Sequence, residues 1–340
     1  MRKVAPDSES GFTLGEMMVA SVLTMIIVSA AVEMLTRTLT LTGTARVISE
    51  TNHGLQAGTS LMVRDFMQTG QGVPLGGIPI PNGAGATAVL RPGLAGLTFP
   101  AGQTSLPALS PGNGLGPTLL GVSTDVVNVL YADRTLNISA NPLTAIAADG
   151  STMTVAAATP VTGVGGLQAG DLILFSNAMG NALQLVTATP TTQTVTFAAN
   201  DAMNINQRGA QFGSLMSLQT APGVFPLTTA TRVLLVSYYI DTTTDPTLPR
   251  LVRRVNMGQN LAIAMGVENL QITFDLVDGV TNPTNVDTPP VTNSSNQIRK
   301  ANLFLSARSQ DVNPQTKQFF RNTMATQVGL RSLSFVDRYR

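Results

Sequence analysis

The most continuous run of hydrophobic positions lies near the amino terminus of the chain. Residues 12–32, FTLGEMMVASVLTMIIVSAAV, carry a single ionisable side chain, that of Glu16. An α-helix rises about 1.5 Å per residue, so about 20 such residues span the roughly 30 Å hydrocarbon core of a membrane. The pattern predicts a transmembrane helix over residues 12–35.

After residue 35 the apolar positions narrow to a stripe at helical spacing. The stripe has members three, four or seven positions apart: Leu41, Ala45, Ile48, Leu55, Met62 and Phe66. These spacings put side chains on one face of a helix, so we expect an amphipathic segment over residues 36–68 that lies against a globular body. Gly43, Gly54 and Gly58 weaken helix propensity, so this segment needs that packing or bends there.

The remainder of the chain reads as loops and strands. Gly or Pro recurs every few positions over residues 69–119, which predicts a loop region. Short β-branched runs between turn residues then predict a β-rich insertion over 120–230 and a carboxy-terminal β-sheet region over 231–340. Within the latter, RVLLVSYYID and PRLVRRVNM predict a hairpin, followed by strands in GVENLQITFDLVDG, IRKANLFLSARS and TMATQVGLRSLSF. The predicted fold class is α+β, with a long amino-terminal helix packed on a largely antiparallel β domain.

The composition restricts the chemistry that this fold carries. Charged residues make up 11% of the chain, and 20 Lys and Arg nearly balance 19 Asp and Glu, so there is no broad basic field for nucleic acid. The chain has no Cys and one His, His53, which excludes disulfides, thiol nucleophiles, His-based triads and multi-His metal centres. We expect no enzyme activity, no cofactor and no nucleic-acid partner, and we interpret His53 as a solvated side chain.

Two pairs of carboxylates stand at predicted strand ends, Asp241 with Asp245 and Asp275 with Asp278. Asp is common at such places because its side chain bonds the local backbone, and this is the interpretation that we favour. A calcium site at Asp241 and Asp245 is the alternative, since calcium takes oxygen ligands from loops.

Two further clusters attract attention without matching a known site. Arg250, Arg253 and Arg254 form the most basic patch, in which Arg253 falls on the apolar side of its predicted strand. We expect a solvated or charge-protected edge strand there, with DNA capture as the alternative. The glycines at 112, 114 and 116 are followed by Pro117 and not by Lys, which argues against a phosphate-binding loop.

A short polar segment, residues 1–11, precedes the apolar run. Arg2 and Lys3 place this end in the cytoplasm by the positive-inside rule, so the residues after the helix face outward. A cleaved secretory signal is one interpretation, because small residues at 29–31 allow a cut before Val32.

The hexapeptide GFTLGE, residues 11–16, favours a different interpretation because it stands before the apolar run. It resembles the leader junction of type IV prepilins and pseudopilins. The resemblance implies that residues 1–11 are a prepilin leader, that prepilin peptidase cleaves between Gly11 and Phe12, and that the new amino terminus on Phe12 is methylated. The apolar helix then stays on the mature protein.

Glu16 also has a physical explanation. A carboxylate inside a membrane span costs about 2.5–3.5 kcal/mol, so it needs a partner. Cleavage creates an ammonium group on Phe12, and the Phe12 ammonium of a neighbouring subunit neutralises Glu16 when helices pack side by side. We therefore predict that Glu16 docks subunits. The alternative is that Glu16 only stabilises the first helical turn.

The order of strand textures in the carboxy-terminal region resembles PilW-type minor pilins and is similar also to the J-type pseudopilin of type II secretion. The resemblance implies a minor pilin of a type IV pilus that acts in pilus initiation or at the tip. Its partners would be prepilin peptidase, other minor and major pilins, membrane lipid and the inner-membrane assembly platform. The chain would sit in the inner membrane with its globular domain outside the cytoplasm.

Many pilins close their last loop with a disulfide, which this chain lacks. A bitopic envelope protein with a ligand-binding β ectodomain stays open.

Overall fold

The computed structural model describes residues 11–100, 102–136, 138, 143–290 and 293–333. The predicted leader lies outside these ranges apart from Gly11, and so does the end of the predicted closing strand. Over the described residues, a long amino-terminal helix packs on a mostly antiparallel β domain. The predicted α+β fold class is confirmed.

The described residues form one α-helix, two short 3-10 helices and a series of strands. Helix α1 spans Leu14–Gln68, and the 3-10 helices span Leu215–Leu218 and Ser295–Gln297. The strands are β1 (Ile78–Pro79), β2 (Ser105–Leu106), β3 (Leu109–Ser110), β4 (Thr118–Leu119), β5 (Val122–Ser123), β6 (Val127–Ala132), β7 (Ala145–Ile146), β8 (Thr152–Thr154), β9 (Leu172–Asn177), β10 (Gly180–Leu185), β11 (Thr194–Thr196), β12 (Thr229–Asp241), β13 (Arg250–Val255), β14 (Asn260–Met265), β15 (Val267–Leu276), β16 (Ile298–Val312) and β17 (Phe319–Gly329).

Helix α1 has an exposed amino-terminal half and a packed carboxy-terminal half. Residues 11–39 are all exposed, whereas Leu55, Met62 and Phe66 have no exposed surface. The packed half lies on β14, β16 and β17. The helix therefore contacts the body only along its second half, and it continues without a break through its three interior glycines.

The predicted apolar stripe is confirmed at its carboxy-terminal members and wrong at the first two. Leu41 is exposed because the body first approaches the helix beside Gly43, where Pro314 lies against it. Ala45 is exposed because it is two positions from both Gly43 and Val47 and so lies on the opposite side of the helix. Further along, Gly58 is buried against Leu251, a contact that a narrow stripe of large apolar residues does not reveal.

The larger sheet has seven strands and is covered on both faces. Its main order is β10-β9-β12-β13-β14, with β6 on β12 and β3 on β6. Along β12, Val236 and Tyr238 face the core that α1 closes, while Val233 and Leu235 face a second core under residues 73–106. Because both faces are buried, β6 is buried at every position. The predicted Gly/Pro-rich region therefore covers one face of this sheet with turns and short strands.

The smaller sheet consists of β15, β16 and β17 in that order, all antiparallel. The predicted hairpin is confirmed in the larger sheet, where β12 pairs with β13 in the register Asp241 to Arg250. The alternation predicted for the last strand is confirmed by Met324, Thr326 and Val328, which are more buried than their neighbours.

The predicted division at residue 230 does not separate two sheets. Strand β12 crosses that position and pairs with β6 and β9 from the predicted insertion as well as with β13. Among the described residues of 120–230, β7, β8 and β11 form a separate small sheet, and β5 pairs with β4 in a two-stranded sheet. The sheet of β7, β8 and β11 packs on β9 and β10 through Phe175 and Phe197. Residues on the two sides of the predicted boundary therefore belong to one sheet, because strands from distant segments pair there.

Candidate functional site

The first turn of α1 places Glu16 in a capping box. Thr13 is the N-cap residue, with the extended backbone of that position. Its backbone N–H donates to Glu16 Oε2 at 2.9 Å, and the N–H of Glu16 donates to Thr13 Oγ1 at 3.3 Å. Two otherwise unpaired backbone donors are thus satisfied, as expected for Thr at the N-cap and Glu three residues later. The predicted site residues Gly11, Phe12 and Glu16 lie within six residues of each other, all exposed.

The segment after Glu16 presents apolar side chains in every direction. Phe12 and Leu14 are more than four-fifths exposed, at 87% and 81%. Among the described residues, α1 is the one helix that is long and apolar enough to cross a membrane. An apolar helix with none of its apolar window buried in the body is typical of a membrane span or of a signal sequence.

Two hydroxyl groups in this segment are satisfied within the helix. The hydroxyls of Ser21 and Thr24 donate to the carbonyls of Met18 and Ala20, each at 2.8 Å. Such back-bonding removes the need for water, as lipid demands. The first ion pair along the helix joins Glu33 to Arg37 at 2.5 Å and is exposed. The pair marks the end of the apolar segment.

A buried ionic cluster fastens the other end of α1 to the larger sheet. Asp65 has no exposed surface. Its Oδ2 accepts from Arg253 Nε at 2.7 Å and from the Tyr238 hydroxyl at 2.6 Å, and its Oδ1 accepts from the Tyr131 hydroxyl at 3.2 Å. Strands β6, β12 and β13 each contribute one of these donors. One carboxylate therefore joins this end of the helix to three strands of the sheet.

The electrostatics of this cluster follow from burial and from the Asp65 charge. Burial raises the pKa of Tyr131 to about 12, and the neighbouring Asp65 carboxylate acts in the same direction. The pKa of Tyr238 is raised for the same two reasons. Burial lowers the pKa of Arg253, but the hydrogen bond and charge of Asp65 outweigh it, so the net pKa is raised. Both tyrosines thus stay protonated donors and Arg253 stays charged.

The sequence interpretation of the basic patch is wrong for Arg253. Strand β13 lies between β12 and β14 and is not an edge strand. The three arginines point to different partners: Arg253 to Asp65, Arg250 to Asp241 at 2.7 Å, and Arg254 to the carbonyl of Gly258 at 3.0 Å. Asp65, 188 positions away in the chain, was missed because nothing local marks it as the partner of Arg253. The available signal was an acidic residue three positions after Met62, which places it beside the apolar stripe of the helix.

The carboxylate pairs are accounted for by local hydrogen bonds. Asp241 accepts from Thr243, Thr244 and Arg250, and Asp245 accepts from the N–H and hydroxyl of Thr247. In the part of the chain that the structure describes, no three His, Cys, Asp or Glu side chains come close enough to hold a metal ion.

Asp275 and Asp278 likewise bond neighbouring backbone. Asp275 accepts from the N–H of Asn285, and Asp278 accepts from the N–H groups of Val280 and Thr281. His53 is exposed. These carboxylates shape turns, as the favoured interpretation predicted.

Comparisons of this chain with protein families, with characterised proteins and with solved structures find no match.

Proposed function

We propose that the chain is a minor pilin of a type IV pilus, a structural subunit that is cut between Gly11 and Phe12 and methylated on Phe12. The observation that carries the proposal is the exposed, all-round apolar half of α1 with one carboxylate, Glu16, in its first turn. Among the described residues Glu16 bonds only Thr13, and its charge has no cationic partner among them. A neighbouring subunit's amino terminus supplies that partner.

The division of α1 supports this function. The apolar half is available first to inner-membrane lipid and then to the helices of other minor and major pilins. The other half is locked to the body through Asp65 and Arg253. A rigid joint between the two is what a filament subunit needs, because it carries the position of the helix in the filament over to the exposed β domain. Prepilin peptidase and the inner-membrane assembly platform are the further partners.

Glu16→Ala tests this role, with Glu33→Ala as its matched control on the same helix. Both carboxylates are exposed, but Glu33 pairs with Arg37 within the chain. We expect Glu16→Ala to be cleaved and to remain in the membrane, yet to enter sheared filaments poorly and to reduce filament number per cell. Glu33→Ala should assemble like the wild type.

Wild-type assembly of Glu16→Ala with intact cleavage would leave Glu16 as a capping residue and would contradict subunit docking. Two other identities predict other outcomes. A pseudopilin of a type II secretion system would show the assembly defect as lost secretion without a change in pilus number. A bitopic envelope protein with a ligand-binding ectodomain would show no filament phenotype in either variant.

A further inference from the structure

A cleft lies on the far side of the larger sheet from α1, between the Gly/Pro-rich region and the loop before β16. Its volume is about 350 Å³. Its apolar wall is made by Phe99 with prolines 100, 107, 111, 289 and 290. Proline rings and a buried aromatic ring hold a fixed shape, so the cleft is preformed.

Arg91 forms part of the cleft and is 4% exposed. Its guanidinium donates to neutral oxygens: the side chain of Asn128 and the carbonyls of Ser110, Pro111 and Val126. Among the described residues no carboxylate pairs with it. Burial lowers the pKa of Arg91 to about 10, so the group is charged at neutral pH. A buried positive charge therefore stands here without a counter-charge, which is costly.

The backbone around Arg91 is built to admit it. A Cβ on Gly112 would lie 2.7 Å from Arg91 Nη2 and 2.3 Å from the carbonyl oxygen of Val126, so only glycine fits. Gly112 belongs to the run of glycines at 112, 114 and 116, and this close approach explains why a glycine stands at that position. The position of the guanidinium is thus enforced by packing.

Two unpartnered side-chain atoms belong to residues of the same cleft. Ser110 is 5% exposed, and its hydroxyl has no hydrogen-bond partner. The side-chain oxygen of Asn296 is also buried and without a partner. Buried polar atoms are almost always paired, so an unpaired donor and an unpaired acceptor beside an uncompensated charge indicate a missing ligand. That ligand carries an anionic group, an N–H donor and an apolar body.

We propose that this cleft binds the carboxyl terminus of a peptide that ends in an apolar residue. Arg91 and the Ser110 hydroxyl face the terminal carboxylate, the Asn296 oxygen accepts from the last peptide N–H, and Phe99 with the prolines contacts the side chain. An N-acylated amino acid offers the same groups, so the two sources are separated by experiment. The inference does not depend on the proposed pilin function.

The test uses the full chain in detergent with one introduced tryptophan, because the natural chain has none. Thr288→Trp places the reporter on the exposed rim of the cleft, and Thr316→Trp is the control on a loop outside it. The probes are Ala-Pro-Phe with a free or an amidated carboxyl terminus, and N-acetyl-phenylalanine beside its amide. Equal binding of both free acids points to a small-molecule source, and tighter binding of the tripeptide points to a peptide.

We expect a saturable change in Thr288→Trp fluorescence with the free acids, none in Thr316→Trp, and binding weaker by about tenfold or more for the amides, as loss of a charge-assisted hydrogen bond implies. In the reporter chain, Arg91→Gln should lose the preference for acid over amide. If that variant does not fold, Arg91→Lys should keep the preference and Ser110→Ala should weaken acid binding by about threefold or more. Equal affinity for acid and amide in the reporter chain, or no binding of either, would overturn the proposal.

Discussion

At the residue scale, the folded body holds its buried charges in two ways. Asp65 is fully neutralised, with Arg253 and two tyrosine hydroxyls around one carboxylate. Arg91 is held by neutral oxygens and lies over the Phe99 ring, 5.9 Å from its centroid. The first arrangement closes a joint between helix and sheet, and the second leaves a charge for something outside the described chain. Neither was visible in the sequence, because each depends on residues that strand pairing brings together.

Removing the charge of Arg253 alone should lower the free energy of unfolding more than removing the charges of both Arg253 and Asp65. Arg253→Met leaves the buried Asp65 carboxylate with only a distant cation, Arg64, whose Nε lies 3.9 Å from Oδ1. We expect a loss of about 3–5 kcal/mol in the free energy of unfolding. The double variant Asp65→Asn with Arg253→Met removes both charges, keeps an amide oxygen that accepts from the Tyr131 and Tyr238 hydroxyls, and should recover most of that loss. Urea unfolding followed by circular dichroism measures both. A double variant as unstable as the sum of the single variants would show that the pair is not coupled.

Because the pKa of Asp241 is lowered in the folded chain, we expect the folded chain to lose stability in acid. Burial raises its pKa, but hydrogen bonds from Thr243 and the Arg250 guanidinium outweigh burial and hold the pKa below its ordinary value. The stabilisation is complete above the unfolded-state pKa and is lost as the pH falls below about 4 toward the folded-state value. The urea midpoint of Asp241→Asn should therefore change less between pH 6 and about pH 3 than that of the wild type. Asp311→Asn, an exposed carboxylate, is the control and should follow the wild type.

At the element scale, the periodicity of apolar residues predicted the secondary structure of most segments. It did not predict which other segments each one contacts. The span of α1 and the β12–β13 hairpin were predicted because a long apolar run and a turn between two β-branched runs are local signals. The predicted stripe was wrong at Leu41 because the body begins after that residue, and at Ala45 because the body contacts the opposite face of the helix. The region over residues 69–119 was predicted as loops. That it covers a sheet face was not predicted, because the strand residues that it covers, such as Leu172 and Leu235, are distant in the chain.

The interior glycines of α1 should respond to substitution in opposite ways. A Cβ on Gly54 meets nothing within 4 Å, so Gly54→Ala should stabilise the chain by about 0.5–1 kcal/mol through helix propensity. A Cβ on Gly58 lies 3.2 Å from Leu251 and 3.4 Å from Ala264, so Gly58→Leu should overpack the contact and destabilise by about 1–3 kcal/mol. Thermal unfolding of both variants checks this. Similar shifts in the two would contradict the packing of α1 on β13 and β14.

At the scale of the whole molecule, one sheet joins segments that the sequence divides. Strand β12 pairs with β6, β9 and β13, so the predicted insertion and the predicted carboxy-terminal region share a sheet and its two cores. The packed half of α1 closes one of those cores. The exposed half takes no part in the fold of the body, which allows the two halves to have separate roles.

A chain that begins at Arg37 should therefore fold without a membrane. It keeps Leu55, Met62 and Phe66 in the core and Asp65 beside Arg253. Its circular dichroism should show mainly strand with one helix. A chain that begins at Gly70 lacks all four side chains and should not fold cooperatively. Cooperative folding of the shorter chain would show that the helix is dispensable to the body.

The mass and amino-terminal sequence of the mature protein, isolated from membranes of cells that carry prepilin peptidase, test the central claim most directly. The account predicts a chain that begins with N-methylated Phe12, and a Gly11→Leu variant that keeps residues 1–11. A mature chain that begins at Met1 would instead mean a bitopic anchor, and one that begins at Val32 a secreted domain. Either start, or normal cleavage of Gly11→Leu, would contradict the proposed function.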